Sequence, residues 1–85
     1  MTTGIVHQLT GYDRETELLA VEYDIPSRLL SEVKRMAEVS AEDPEAVGSY
    51  PLRRDQASNI AKLLGIHIDV DGFDFFLEPF AEDQP

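Results

Sequence analysis

The sequence contains no cysteine, and only 7 of its 85 residues are lysine or arginine, against 17 aspartate or glutamate, for a net charge of −10. A chain without cysteine forms no disulfide, binds no zinc through thiolates and has no cysteine nucleophile. Acidic chains repel phosphate backbones, and the basic cluster Arg53-Arg54, with Lys62 further on, is too small to bind a duplex. We therefore expect no direct nucleic-acid binding, and a basic partner if charge selects the partner.

Long hydrophobic runs are also missing. The longest uninterrupted apolar stretch is Leu18–Val21, whereas a membrane span needs about 20 apolar residues. Met1–Gly4 lacks the basic-then-apolar pattern of a signal peptide. We expect no membrane association and a cytoplasmic location, with which the lack of cysteine is compatible.

The composition is that of a globular protein, with 42% hydrophobic and 28% charged residues. The length suits one domain. We assign residues 1–80 to a single α+β domain. Pro79 is expected to stop the last strand, and residues 81–85 are expected to form a frayed acidic tail.

The first quarter of the chain is typical of a β-hairpin. Gly4–Tyr12 and Glu17–Tyr23 mix β-branched and apolar residues with polar ones, and Asp13–Thr16 has turn composition. Pro26 ends the second strand. The register set by this turn predicts one apolar set on each face of the hairpin. The first set is Val6, Tyr12, Leu19, Val21 and Tyr23, and the second is Ile5, Leu9, Leu18 and Ala20.

Two amphipathic helices are predicted in the middle of the chain. Ser27 is a candidate N-cap for the first, and Pro51 precedes the second. Gly65 stands where a left-handed residue ends a helix. The segment 38–51 is predicted to be a loop. Apolar residues at helical spacing define the two buried faces: Leu29, Leu30, Val33, Met36 and Ala37 in the first helix, and Ala57, Ile60, Ala61 and Leu64 in the second.

The end of the sequence predicts a second hairpin. Alternating runs Ile66–Val70 and Phe73–Leu77 flank Asp71-Gly72, the dipeptide favoured in type I′ turns. A two-residue turn pairs Val70 with Phe73 and turns the apolar residues to one face. The opposite face then carries His67, Asp69, Asp74 and Phe76.

These elements occur in the order β-β-α-α-β-β and predict a two-layer α+β sandwich, an antiparallel sheet with two helices on one face. The other face stays at least partly exposed, unless the loop 38–51 covers it. We predict a partner-binding site there, centred on the aromatic Phe76 with charged neighbours. The candidate site residues are Phe76, His67, Asp69, Asp74 and Glu78.

Several short motifs are spread over most of the chain: Gly11–Glu17, Asp43-Pro44, Ser49–Pro51, Gln56-Ala57 and Asp74–Glu78. Together these motifs resemble a family of short acidic bacterial domains of unknown function. At position 53, arginine replaces the helix-capping serine or threonine that the family pattern favours. The resemblance implies no activity, cofactor or binding residue.

Other site types fit the sequence less well. Asp69–Asp74 resembles part of a calcium loop, but the glycine is misplaced for an EF-hand. His67 with nearby carboxylates would diverge on a flat sheet rather than converge on zinc. No serine lies in a nucleophile-elbow context, and no glycine loop fits a phosphate. We therefore predict no catalytic residue, no metal site and no cofactor. The acidic loop 42–45 is either a solvated connector or a docking epitope.

The function expected from these observations is non-enzymatic protein binding. The expected partner is another protein, such as a basic one, or a second copy of the chain bound through the exposed sheet face. The alternative is an immunity- or inhibitor-type protein whose acidic face blocks a basic enzyme such as a nuclease.

Overall fold

The computed structural model describes residues 3–83, with side chains for residues 5–80. Its sheet is antiparallel with strand order β2-β1-β4-β3. The predicted α+β class is confirmed, with a short strand added between the helices. The elements are β1 Thr3–Asp13, β2 Leu19–Asp24, α1 Ser27–Met36, β3 Tyr50–Pro51, α2 Arg54–Leu64 and β4 Phe73–Asp83.

The first hairpin forms, but its predicted register is wrong. Leu9 pairs with Tyr23 and Gly11 with Val21, and then the partners jump so that Tyr12 faces Leu19. This bulge adds one residue to β2, and one extra residue exchanges the faces of a strand. Val21 and Tyr23 therefore pack against the core together with Leu9, while Tyr12 lies on the opposite face.

The second hairpin does not form. Within residues 66–72 the structure has no strand, and neither Asp71 nor Gly72 has the positive φ that a type I′ turn requires. Instead, Asp69 Oδ1 accepts the N–H groups of both residues, at 3.0 and 3.1 Å. Ile66, Ile68 and Val70 still pack against the core, so their alternation reflects burial and not strand pairing.

β4 pairs with the first strand instead, in the middle of the sheet. Eleven consecutive residue pairs join it to β1, from Thr3 opposite Asp83 to Asp13 opposite Phe73. On its other side, only Leu77 and Phe76 face β3. The strand thus includes residues 81–83, which the sequence assigned to a frayed tail, and residues 84–85 lie outside the described part.

Both helices begin differently from the simplest prediction. α1 follows Pro26, and Ser27 is its first helical residue, whose side chain makes no capping hydrogen bond, so the predicted cap is wrong. α2 follows Arg53, whose N–H donates to Gln56 Oε1 at 2.8 Å. Gly65 ends α2 at φ 73° and ψ 30°, the left-handed cap that the sequence predicted.

The helices pack on one face of the sheet and form the core with it. Leu9, Phe75 and Leu77 are the main buried residues of the sheet, and Val33 and Ile60 are those of the helices. The core is therefore a single layer of apolar side chains between the helices and the sheet, and the other face of the sheet is left without a second layer.

The arginines at the start of α2 are matched by acids. Arg53 pairs with Glu38 at 2.9 Å and with Asp55 at 3.2 Å, and Arg54 pairs with Asp71. The hydrogen bond from Arg53 lowers the pKa of Asp55. These acids offset the unfavourable position of two cations beside the positive end of the helix dipole.

Candidate functional site

The helices leave the second face of the sheet uncovered, and we call this surface the open face. It consists of alternate residues of β1, β2 and β4, because successive side chains of a strand point to opposite sides. The pairings place Thr10 between Glu22 and Phe76, and Gln8 between Asp24 and Glu78. The open face comprises Val6, Gln8, Thr10, Tyr12, Leu19, Glu22, Asp24, Asp74, Phe76, Glu78 and Phe80.

Three of the five predicted site residues lie together on this face. Asp74, Phe76 and Glu78 are alternate residues of β4, and Phe76 is half-buried rather than fully exposed. His67 and Asp69 are not on the face, because the strand predicted to carry them is an irregular connection between α2 and β4. The structure thus brings together the three predicted residues of β4 and places the other two elsewhere, and the binding of a partner by any of them stays a prediction.

Glu78 is held by three hydroxyl groups from different parts of the chain. Its Oε1 accepts from Thr10 at 2.6 Å and from Tyr12 at 2.7 Å, and its Oε2 accepts from Ser49 at 3.0 Å. Burial acts to raise the pKa of Glu78, but the three hydrogen bonds lower it below its ordinary value. The hydrogen bond that Tyr12 donates to Glu78 raises the pKa of Tyr12, and burial raises it further by a smaller amount. The carboxylate is therefore a fixed negative charge.

An aromatic pair lies beside this carboxylate. The rings of Tyr12 and Phe76 meet edge to face, with centroids 5.4 Å apart and planes at 89°, a geometry that aromatic pairs favour. The two rings form part of the wall of a shallow open hollow of about 270 Å³. We call it the aromatic-acidic hollow. It is lined by Tyr12, Asp13, Glu17, Asp74, Phe76 and Glu78.

Acids outnumber bases on the open face. Glu22, Asp24, Asp74 and Glu78 belong to it, and the guanidinium of Arg14, in the β1–β2 turn, pairs with Asp74 at 3.0 Å. The same guanidinium donates to the carbonyl of residue 70 at 3.2 Å. Arg14 is the only lysine or arginine in the described residues that forms an ion pair with an open-face acid. The surface around the aromatic pair is therefore negative.

The loop before β3 leaves this face uncovered. His7, on the helix side of the sheet, donates through Nε2 to the carbonyls of Glu45 and Ala46, at 3.0 and 3.1 Å. Asp43 folds inward and accepts from Tyr50 Oη at 2.7 Å as well as from two backbone N–H groups, and these bonds lower its pKa. Among the loop residues described, only Ser49 reaches an open-face side chain.

Sequence reasoning missed the hydroxyls of Thr10, Tyr12 and Ser49. Thr10 and Tyr12 belong to the predicted first strand, but no local pattern indicated that this strand lies beside β4. Ser49 lies in a segment predicted as loop. Near Tyr12, polar residues alternate with apolar ones, and this alternation was the only signal in the sequence. It does not identify the residue that a hydroxyl group contacts.

Within the described chain, no group of three or more histidines and carboxylates could hold a metal ion. Between residues 3 and 83 there is also no helix long and apolar enough to cross a membrane. That Asp69–Asp74 binds no calcium stays a prediction.

The fold and the open face define a small α+β domain with one uncovered, acidic sheet surface. Residues 6–78 match the family model described as "Domain of unknown function (DUF7683)", and the chain belongs to this family. The expected resemblance to a family of unknown function is confirmed. Neither the curated proteins nor the solved structures give a significant match.

Proposed function

We propose that the chain is a non-enzymatic, cytoplasmic protein-binding module that docks a basic protein on its open face. The observation that carries this proposal is the aromatic pair of Tyr12 and Phe76 surrounded by the carboxylates of Glu22, Asp74 and Glu78. An apolar centre with a charged rim is the usual anatomy of a protein interface.

The dimensions of the face suit a protein partner. Eleven paired residues of β1 and β4 extend about 35 Å at a rise of roughly 3.3 Å per residue. β2 lies beside β1 and adds six residues, or about 20 Å of a third strand. With each strand about 4.8 Å wide, the three strands give roughly 400 Å² of flat surface. This is about half of the ~800 Å² per partner of a standard interface, and the relief of the side chains adds to it.

Charge favours a basic partner over a second copy of the chain. Face-to-face contact between two copies would bring Glu22, Asp24 and Asp74 of one copy against the same acids of the other. Like charges facing each other across an interface cost several kcal/mol by typical estimates. A cationic surface would instead be attracted by the net charge of −10 and steered to the face.

An inhibitor or immunity role is the second candidate, supported by the same net charge. A carboxylate-lined surface resembles the phosphate backbone of a nuclease substrate in its sign of charge. Such an inhibitor would lose association rate steeply as salt rises. If a neighbouring gene encoded a basic toxic enzyme, that would favour an inhibitor or immunity role over a general docking module.

Charge reversal tests the open face directly. The full chain is expressed in its native host, and partners are captured at low and high salt with the wild type, Glu22→Lys and Glu42→Lys. Glu22 lies on the open face, whereas Glu42 is an exposed acid in the loop before β3. We expect a basic partner that Glu22→Lys loses and Glu42→Lys retains. Loss through Glu42→Lys alone would move the site to the acidic loop and contradict the proposal.

A further inference from the structure

We infer that the aromatic-acidic hollow receives an arginine side chain of the partner, an inference that rests on the proposed function. The hollow combines the two groups that a guanidinium binds best, aromatic rings and carboxylates. A guanidinium lies on aromatic rings and forms paired hydrogen bonds with carboxylates, which a lysine ammonium cannot do equally well.

The hollow holds more negative charge than its surroundings neutralise. Four carboxylates line it, those of Asp13, Glu17, Asp74 and Glu78, and Arg14 pairs with Asp74. Glu17 forms no ion pair or side-chain hydrogen bond with any described residue. A cation entering the hollow therefore finds negative charge that the described chain does not match.

Two of these carboxylates are already fixed in place. Both oxygens of Glu78 accept hydroxyl groups. Asp13 Oδ1 accepts the backbone N–H groups of Glu15 and Thr16, at 2.8 and 3.2 Å. Binding a cation there costs little side-chain entropy, because the anions are ordered before the cation arrives.

Apolar surface beside the hollow suits the aliphatic stem of arginine. Leu19 faces Tyr12 directly across the hairpin and is 46% exposed, and the ring of Phe76 continues the apolar surface on the other side of Tyr12. Arginine stems pack on apolar surface while the charged head reaches acids. The hollow therefore offers both a surface for the aliphatic stem and acids for the charged head.

The spacing of the acids points to an organic cation and not to a metal ion. Among the described residues, no three carboxylates or histidines come close enough to coordinate one ion. A guanidinium spreads its five N–H donors over a wide plane and can reach acids that are too far apart to share a metal.

The test uses acetyl-arginine methylamide as probe and its citrulline analogue, which has the same shape without the charge. Each is titrated into the full ¹⁵N-labelled chain while amide shifts are followed. We expect saturable shifts confined to residues around Tyr12, Glu17 and Phe76, at least ten-fold weaker binding of the citrulline compound, and about two- to five-fold weaker arginine binding in Glu17→Gln. Glu42→Gln, an equal charge change outside the hollow, should bind like the wild type.

Absence of saturable shifts, equal binding of the citrulline compound, or equal weakening by Glu17→Gln and Glu42→Gln would each overturn the inference. These failures differ from failure of the proposed function. If the hollow does not bind arginine but Glu22→Lys still abolishes partner capture, the open face is a docking surface without an arginine site. If neither holds, both proposals fall.

Discussion

Replacing Glu78 by alanine should destabilise the fold, mainly because the buried hydroxyl of Thr10 loses its nearer acceptor. Thr10 is 0% exposed, and without Glu78 its remaining acceptor is the carbonyl of Phe76 at 3.4 Å. A hydrogen bond to a charged group contributes about 1.5–3 kcal/mol. Tyr12 is half-buried and Ser49 is exposed, so water can replace the acceptor of both at a cost of a few tenths of a kcal/mol.

The partial exposure of Glu78 places the expected loss toward the lower end of that range, at about 1.5 kcal/mol. For a domain of this size, that corresponds to a decrease in Tm of about 6–12 °C. Urea denaturation at pH 7 measures the free energy of unfolding. Glu22→Ala removes an exposed acid from the same face and should change stability by less than about 0.5 kcal/mol.

The pH dependence gives an independent check on the same carboxylate. Because the folded state lowers the pKa of Glu78 below its ordinary 4.5, its stabilising effect is present above that value and is lost as pH falls through the folded pKa. The stability difference between wild type and Glu78→Ala should therefore shrink below pH 4.5. A loss under 0.5 kcal/mol at pH 7, or a difference that grows on acidification, would refute this role of Glu78.

Three further predictions concern the scaffold. Gly11→Ala should cost about 1–3 kcal/mol in urea denaturation, because the new methyl would lie 2.7 Å from Val21 and 2.8 Å from Phe75 side-chain atoms; an unchanged midpoint would contradict this packing. Asp43→Ala should speed hydrogen exchange at the two backbone amides that the carboxylate accepts, and unchanged exchange would show that the loop is held by other contacts. Calcium and zinc should leave amide shifts around Asp69 unchanged, since its carboxylate is engaged in the turn; saturable micromolar shifts there would reveal an ion site.

Much of the fold follows from local patterns in the sequence. The apolar spacing of both helices and the glycine after the second predicted their positions closely, because such signals are contained within one element. Alternation at Phe73–Leu77 also predicted which of its side chains face the core. Local patterns do not identify the neighbouring strand, so they did not predict that β4 pairs with β1.

The same distinction explains why the structure brings together only three of the five predicted site residues. Asp74, Phe76 and Glu78 share a face because they are alternate residues of one strand, which the sequence shows directly. His67 and Asp69 were added through a strand pairing inferred from Asp71-Gly72, and the structure uses that segment as a turn capped by Asp69.

The polar contacts of Glu78 depend on long-range neighbours. Thr10 and Tyr12 reach Glu78 because β1 lies beside β4, and Ser49 reaches it because β3 borders the other edge of β4. Sequence separations of 68, 66 and 29 residues leave no local periodicity that would reveal these bonds.

Site-specific photocrosslinking tests most directly whether the open face is the docking surface. p-Benzoylphenylalanine replaces Phe76 in one chain and Ser31, an exposed residue of α1, in another, and both are irradiated in the native host. We predict that position 76 crosslinks to one discrete protein of positive net charge and that position 31 does not. The same adduct from both positions, or an adduct from position 31 alone, would contradict a docking surface on the open face.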